Sequence, residues 1–344
     1  MSDGAAADDS SDISTGNTMR ERADESRLKL WLLLGANRLV LTAGMAVIFF
    51  ALFVVVGTVL YPPLQAIVAN TSTLKYLFSQ MIGAVITGVT LVVTISQLVI
   101  SQENGPLGDQ RRRMSNTMDF RKYTTELTGE PARADPSAFL RNIVQVAEER
   151  TNRLEEKMTG HDNEELAQEI DEFSESVTGN AQVVRDQLEG GTFGSFGVLN
   201  AALNFNYGWK IFQVERIADD YEDDLTDEEN ELLEELRTAL SMFGAAREHI
   251  KTLYFQWALI DLSQVILYMA IPALLIAGCM LVFVDDGTFT GMILGMEHLL
   301  LVVGAAFTVT LAPFMLFTSY ILRIATAAKR TLAIGPFILR ESQR

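Results

Sequence analysis

Seven residues between positions 80 and 101 have types and a spacing that could do chemistry in an apolar setting. Gln80, Gly83, Thr87, Thr90, Thr94, Gln97 and Ser101 follow one another at intervals of 3, 4, 3, 4, 3 and 4, so a helix places them on one continuous face. Isoleucine, valine and leucine dominate the positions around them. A row of amides, hydroxyls and a glycine has two uses. It can be a packing seam, where small residues let backbones approach and each side-chain hydrogen bond contributes about 0.6 kcal/mol. It can also line a water-filled path, where oxygens replace part of an ion's hydration shell. Helices arranged symmetrically around one axis would make the two uses coincide.

Directly beyond this row come Gln102 and Glu103, then Asn104-Gly105-Pro106, which should end or kink the helix. The triplet Arg111, Arg112 and Arg113 follows. It suits membrane topology and anionic lipid better than an anion filter. Glu103 would draw cations to such a mouth and the arginines would draw anions, so charge assigns no ion selectivity. Asp261 is the one charge close to the third apolar run. It precedes Asp285 by 24 residues, roughly 36 Å of helix, which makes it an interfacial acid rather than a mid-bilayer one. Pro272 and Pro313 fall inside apolar runs and should kink them. Asn70 opens an Asn-x-Ser/Thr triplet, a glycosylation acceptor pattern.

Other chemistry finds little footing. His161, His249 and His298 are far apart in sequence and Cys279 is the lone cysteine, so neither a zinc site nor a disulfide framework is expected. Phosphate-binding glycine loops and nucleophile elbows do not occur, and the expectation is a non-enzyme without catalytic residues, metal or cofactor. Residues 219–231 carry nine acids in thirteen positions. They lack the central glycine of a calcium loop and read as a solvated turn. With 27 basic against 44 acidic side chains, no nucleic-acid partner is expected.

The elements that must position these residues follow from where charge is missing. Residues 39–60, 77–101, 262–284 and 299–322 contain no Asp, Glu, Lys or Arg. Crossing a bilayer takes about 20 apolar residues, and a soluble core helix is not apolar on every face for six turns. The fold class expected is therefore an all-α polytopic membrane protein: four transmembrane helices, with a cytoplasmic helical insert between the second and third. Arg20, Arg22, Arg27, Lys29 and Arg38 precede the first span, the arginine triplet follows the second, and Arg323, Lys329 and Arg330 follow the fourth. Lys75 is the one Lys or Arg in the other two loops. Both termini are then cytoplasmic, the protein is a multi-pass component of the cell membrane, and the lipid bilayer is its first partner. Trp31 and Trp257 lie near span ends as interfacial anchors.

Five segments result. Residues 1–27 form a disordered tail rich in Ser, Asp, Ala and Gly. Residues 28–101 form the first membrane hairpin and 252–323 the second. Residues 324–344 are a second tail. Residues 102–251 hold 32 acidic and 16 basic side chains, hence −16 of the chain's net −17. Within them Asp135-Pro136 is an N-cap with a first-turn proline, and apolar spacing sustains a helix until Gly160. A second helix fits 163–177, with an extension to 188, before Gly190-Gly191. A third spans 196–221. Thr226-x-x-Glu229 is a capping box opening a fourth. It has no stop before Leu253, so it should continue into the third span as one helix of roughly 50 residues, or ~75 Å. Residues 193–212, aromatic and glycine-rich, are the expected contact surface of this insert, with ordinary core as the alternative.

Four spans are too few to enclose a path within one chain, so the functional expectation is a homo-oligomeric, channel-like protein whose second span lines the axis. The alternative is a non-conducting scaffold or sensor that presents the acidic insert to a cytoplasmic protein partner. Lysine supplies only 7 of the 27 basic residues, and such an acidic, lysine-poor surface points to a halophilic, salt-rich setting.

Overall fold

A computed structural model of the chain describes residues 26–59, 71–191, 195–285, 287–293 and 295–330. Helix dominates it. After a short turn over residues 27–35 come α1 (Arg38–Val59), α2 (Thr71–Glu103), α3 (Leu107–Thr128), α4 (Pro136–Met158), α5 (Glu164–Leu188), α6 (Phe196–Leu203), α7 (Tyr207–Asp220) and α8 (Asp227–Phe283). A small antiparallel hairpin, β1 (Met292–Ile293) with β2 (Met296–Glu297), leads into α9 (His298–Arg330). Four of these helices, α1, α2, α8 and α9, are long and apolar enough to cross a membrane. Asn70, the first tail as far as Glu25 and the second from Thr331 lie outside the described residues.

The chain divides into two compact units, one built on residues 31–104 and 256–326, the other on 105–255. In the first unit α2 buries one face against α8 and α9. Leu74 and Phe78 pack with Ala277, Met280, Leu299 and Val303, and farther along Val85, Val89 and Val92 pack with Leu262, Ile266 and Leu316. The Ser96 hydroxyl donates to the Leu259 carbonyl at 2.9 Å, joining α2 to α8. α1 meets α9 through Phe49 and Phe53 against Phe307, at 5.5 and 5.8 Å between ring centroids. A Cβ at Gly304 would stand 2.9 Å from the Phe53 ring, so this crossing depends on the missing side chain.

The second unit forms a core from α4, α5, α6, α7 and the first half of α8, including Leu140, Ile143, Leu154, Ile170, Leu236 and Phe243. Local signals start its helices as their sequences demand. Asp135 caps α4 by accepting from Ala138 N at 2.8 Å, and Asn163 caps α5 by accepting from Glu165 N and Leu166 N at 3.0 and 3.1 Å. The capping box opens α8, with Thr226 N donating to Glu229 Oε2 at 2.8 Å and Glu229 N to Thr226 Oγ1 at 3.4 Å. α8 then continues for 57 residues, about 85 Å of helix and past the expected 50 residues.

Three expectations need correction. The helix over 196–221 is two helices, parted at Asn204-Phe205-Asn206. Side-chain amides hold this break: Asn180 Nδ2 donates to Asn204 O at 2.8 Å and Asn204 Nδ2 to Gln187 Oε1 at 2.9 Å. The aromatic stretch expected as a contact surface is core, with Val198, Leu199, Phe205 and Tyr207 almost fully buried. Its packing is close enough that a Cβ on Gly244 would fall 2.5 Å from the Tyr207 ring. Finally, α3 follows the Gly105-Pro106 break, where no element was expected, and closes on Gly129 at φ +70°.

An acid-sensitive cluster lies on α8 in this unit. Glu248 accepts from Arg247 at 2.6 Å and also from Lys251. Burial pushes the Glu248 carboxyl up, but the hydrogen bonds and charges of Lys251 and Arg247 outweigh it and hold the group below the usual glutamate range. A carboxyl depressed in the folded state adds stability that is present above its unfolded pKa and lost as pH falls through the folded one. Melting should therefore be insensitive to this group near neutrality and weaken below the ordinary glutamate range. Thermal melts of the full chain across acid pH should show Glu248→Gln abolishing part of that slope.

Candidate functional site

The site begins with the pattern of α2. Its buried residues, Leu74, Phe78, Val85, Val89, Val92 and Ser96, occupy one side of the helix. At 100° per residue, the seven-residue row lies on the opposite side. Gln80, Gly83, Thr87, Thr90, Thr94, Gln97 and Ser101 are all exposed. The row is therefore not the seam that holds this chain's own helices together. A Cβ added at Gly83 would meet nothing within 4 Å.

Two hydroxyls in the row are turned back onto their own helix. Thr94 Oγ1 donates to Thr90 O at 2.8 Å and Ser101 Oγ to Leu98 O at 2.7 Å. Among the described residues, the Gln80 and Gln97 amides make no hydrogen bond within the chain. A primary amide facing hydrocarbon with no partner is costly, because its donors and acceptors lose water and gain nothing. The arrangement can satisfy those groups through water or through another helix.

The residues expected at a mouth divide. Gln102 and Glu103 form the last turn of α2, and their side chains lie outside the described residues. Arg111, Arg112 and Arg113 are on α3, exposed, and belong to the other compact unit. Arg112 pairs with Asp109. Asp261 lies on α8 and is exposed. Its charge, with those of Arg323 and Arg38, acts on the Tyr320 phenol, so these four groups are neighbours. Among the described residues, no group of three or more His, Cys, Asp and Glu could hold a metal ion.

Three buried cations escaped the sequence reading: Arg38, Lys210 and the Arg247 that pairs with Glu248. Arg38, counted there only as a charge flanking the first span, is 4% exposed. Its guanidinium donates to Ala36 O at 2.7 and 3.0 Å, Leu32 O at 3.2 Å, Leu33 O at 3.3 Å and, on α9, Ser319 O at 3.0 Å. Arg323 reaches the same Ala36 carbonyl at 2.5 Å. The turn before α1 explains the need: Ala36 N closes onto Trp31 O at 2.7 Å, five residues back, a wide turn that opens its carbonyls to side-chain donors. Lys210 is 1% exposed in the other unit, 3.1 Å from Asn180 Oδ1 and 5.0 Å from the centre of the Phe205 ring. The signal for Arg38 was its position directly against an uncharged run. For Lys210 it was a lysine inside an aromatic stretch.

A family of unknown function, DUF7972, matches residues 4–344, and the chain belongs to it. No curated protein and no solved structure matches the chain.

Proposed function

We propose that this family member is a homo-oligomeric, channel-like protein of the cell membrane, without a catalytic role, in which the α2 row faces a shared axis. The 105–255 unit and both termini stand on the cytoplasmic side, as the distribution of Lys and Arg requires. One observation carries the reading: all seven residues of the row are exposed on the single chain while the opposite side of α2 is buried. A polar row in a membrane-crossing helix must find water or partners, and identical copies around an axis provide both.

Cysteine scanning of positions 80 to 101, in a Cys279→Ser background reconstituted into liposomes, tests it. Aqueous thiol reagents should reach Thr87→Cys, Thr90→Cys and Thr94→Cys and alter conductance. Uniform inaccessibility without conductance would overturn the proposal. Gly83→Leu should shift the assembly to smaller species in native mass spectrometry while the melting of the single-chain fold stays the same, because nothing within the chain abuts that position. A wild-type chain that is monomeric in nanodiscs would leave the scaffold reading in its place.

A further inference from the structure

α3 is exposed on every side over residues 110–119, an unusual state for a helix. Only its C-terminal turns reach the core, through Phe120, Thr124 and Leu127. Its other face carries Leu107, Arg111, Met114, Met118 and Lys122 at intervals of 4, 3, 4 and 4 residues, one continuous stripe. The three apolar members are 86%, 63% and 54% exposed. Of the acids of the helix, Asp109 and Asp119 lie off the stripe and Glu126 stands at its C-terminal edge, four residues after Lys122. Lys122 is 3.6 Å from Glu126 in a solvent-exposed pair, which is weak. In a segment of net charge −16, a face that from Leu107 to Lys122 holds apolar and basic residues without acid is a marked segregation.

We infer that this face lies on the anionic headgroups of the leaflet at which α2 ends, with Leu107, Met114 and Met118 entering the acyl boundary and Arg111 and Lys122 meeting phosphates. The inference rests on the reading that α2 crosses a membrane. Two things favour lipid over a protein partner. Leu107 follows the last residue of α2, Glu103, by four positions, and that much chain reaches at most ~14 Å. The helix therefore starts within reach of the headgroup layer. Its composition is also that of an interfacial helix, with long cationic side chains that let aliphatic stems sink while their charges stay in water. Arginine–phosphate contacts form at hydrogen-bond distance, inside even the ~3 Å screening length of molar salt.

The test uses the full chain with Cys279→Ser, spin-labelled at Met118→Cys on the stripe, Asn116→Cys off it, or Val47→Cys on the exposed side of α1. Each is placed in nanodiscs of phosphatidylcholine alone or mixed with phosphatidylglycerol. Collision with oxygen, which prefers lipid, is compared with collision with a water-soluble nickel chelate. The oxygen-to-nickel ratio at 118 should rise several-fold in the anionic discs, stay low at 116, and be high at 47 in both. Arg111→Glu with Lys122→Glu should cancel the rise at 118. A water-like 118 in both discs beside a lipid-like 47 would overturn the lipid face and leave the membrane reading intact. A water-like 47 would overturn both. Loss of collisions with both reagents at 118 would show a protein covering the stripe and equally overturn the inference.

Discussion

Truncating Phe205 to alanine is expected to lower the unfolding free energy of the helical unit by about 3–5 kcal/mol, the usual loss for a large aromatic in a packed core. Phe205 sits at the break between α6 and α7 and is 0% exposed. Its ring meets Phe243 edge-on, 4.8 Å between centroids at an interplanar angle of 64°. Pairs of this kind contribute about 0.5–1.5 kcal/mol beyond the area they bury. The Lys210 ammonium over the ring adds a second penalty, since Phe205→Ala removes the π face from a buried cation. The cavity cannot close easily, because the flanking amides of Asn180 and Asn204 fix the backbone there. Urea unfolding of the full chain in nanodiscs, followed by Trp209 fluorescence with Trp31 and Trp257 replaced by phenylalanine, measures the change. Phe205→Leu should retain more than half of the lost stability. A loss under about 1 kcal/mol for the alanine variant would contradict a core role, for which losses below that are unusual.

Arg38→Met should be comparably damaging to the unit of membrane-crossing helices, by about 3–5 kcal/mol, since each carbonyl left without a donor costs about 1–3 kcal/mol. Methionine keeps the length and apolar bulk but takes away donors from the carbonyls of Leu32, Leu33 and Ser319. Ala36 O keeps Arg323, so the deficit falls mainly on the other three. Arg38→Lys preserves the charge without the planar fork and should recover only part of the loss. Heating in detergent, read by the temperature at which the chain aggregates, compares the three proteins. An Arg38→Met chain that melts with the wild type would show that water satisfies those carbonyls.

What could be read from the residues beforehand depended on how local its cause was. The apolar runs were legible because a helix without charge over six turns has one suitable solvent. Asp135, Asn163 and Thr226 with Glu229 were legible for a similar reason: each cap satisfies orphan amides within three residues of itself. The break at 204–206 was not. It contains neither glycine nor proline, and the amides that hold it come from α5, as many as 24 residues away. α3 escaped because it lacks the apolar periodicity of a core-facing helix. The α2 row was visible as a pattern, whereas its direction was not, since which side of a helix is buried is decided by α8 and α9 rather than by α2. Arg38 shows the same limit: its place in the sequence marks a span end, and only the carbonyls folded around it make it interior.

The hydroxyl bonds within the α2 row bear on what can stand beside it. Thr94 spends its only proton on Thr90 O, and Ser101 spends its proton on Leu98 O. What each turns outward is lone pairs. Copies related by rotation about an axis put equal residues at equal depth, so at the level of Thr94 oxygen would confront oxygen with no proton between them. Two acceptors cannot bond each other. In a cyclic assembly along this face, the protons offered to the Thr94 oxygens would come from water, from a guest donor or from the Gln97 amides one turn on.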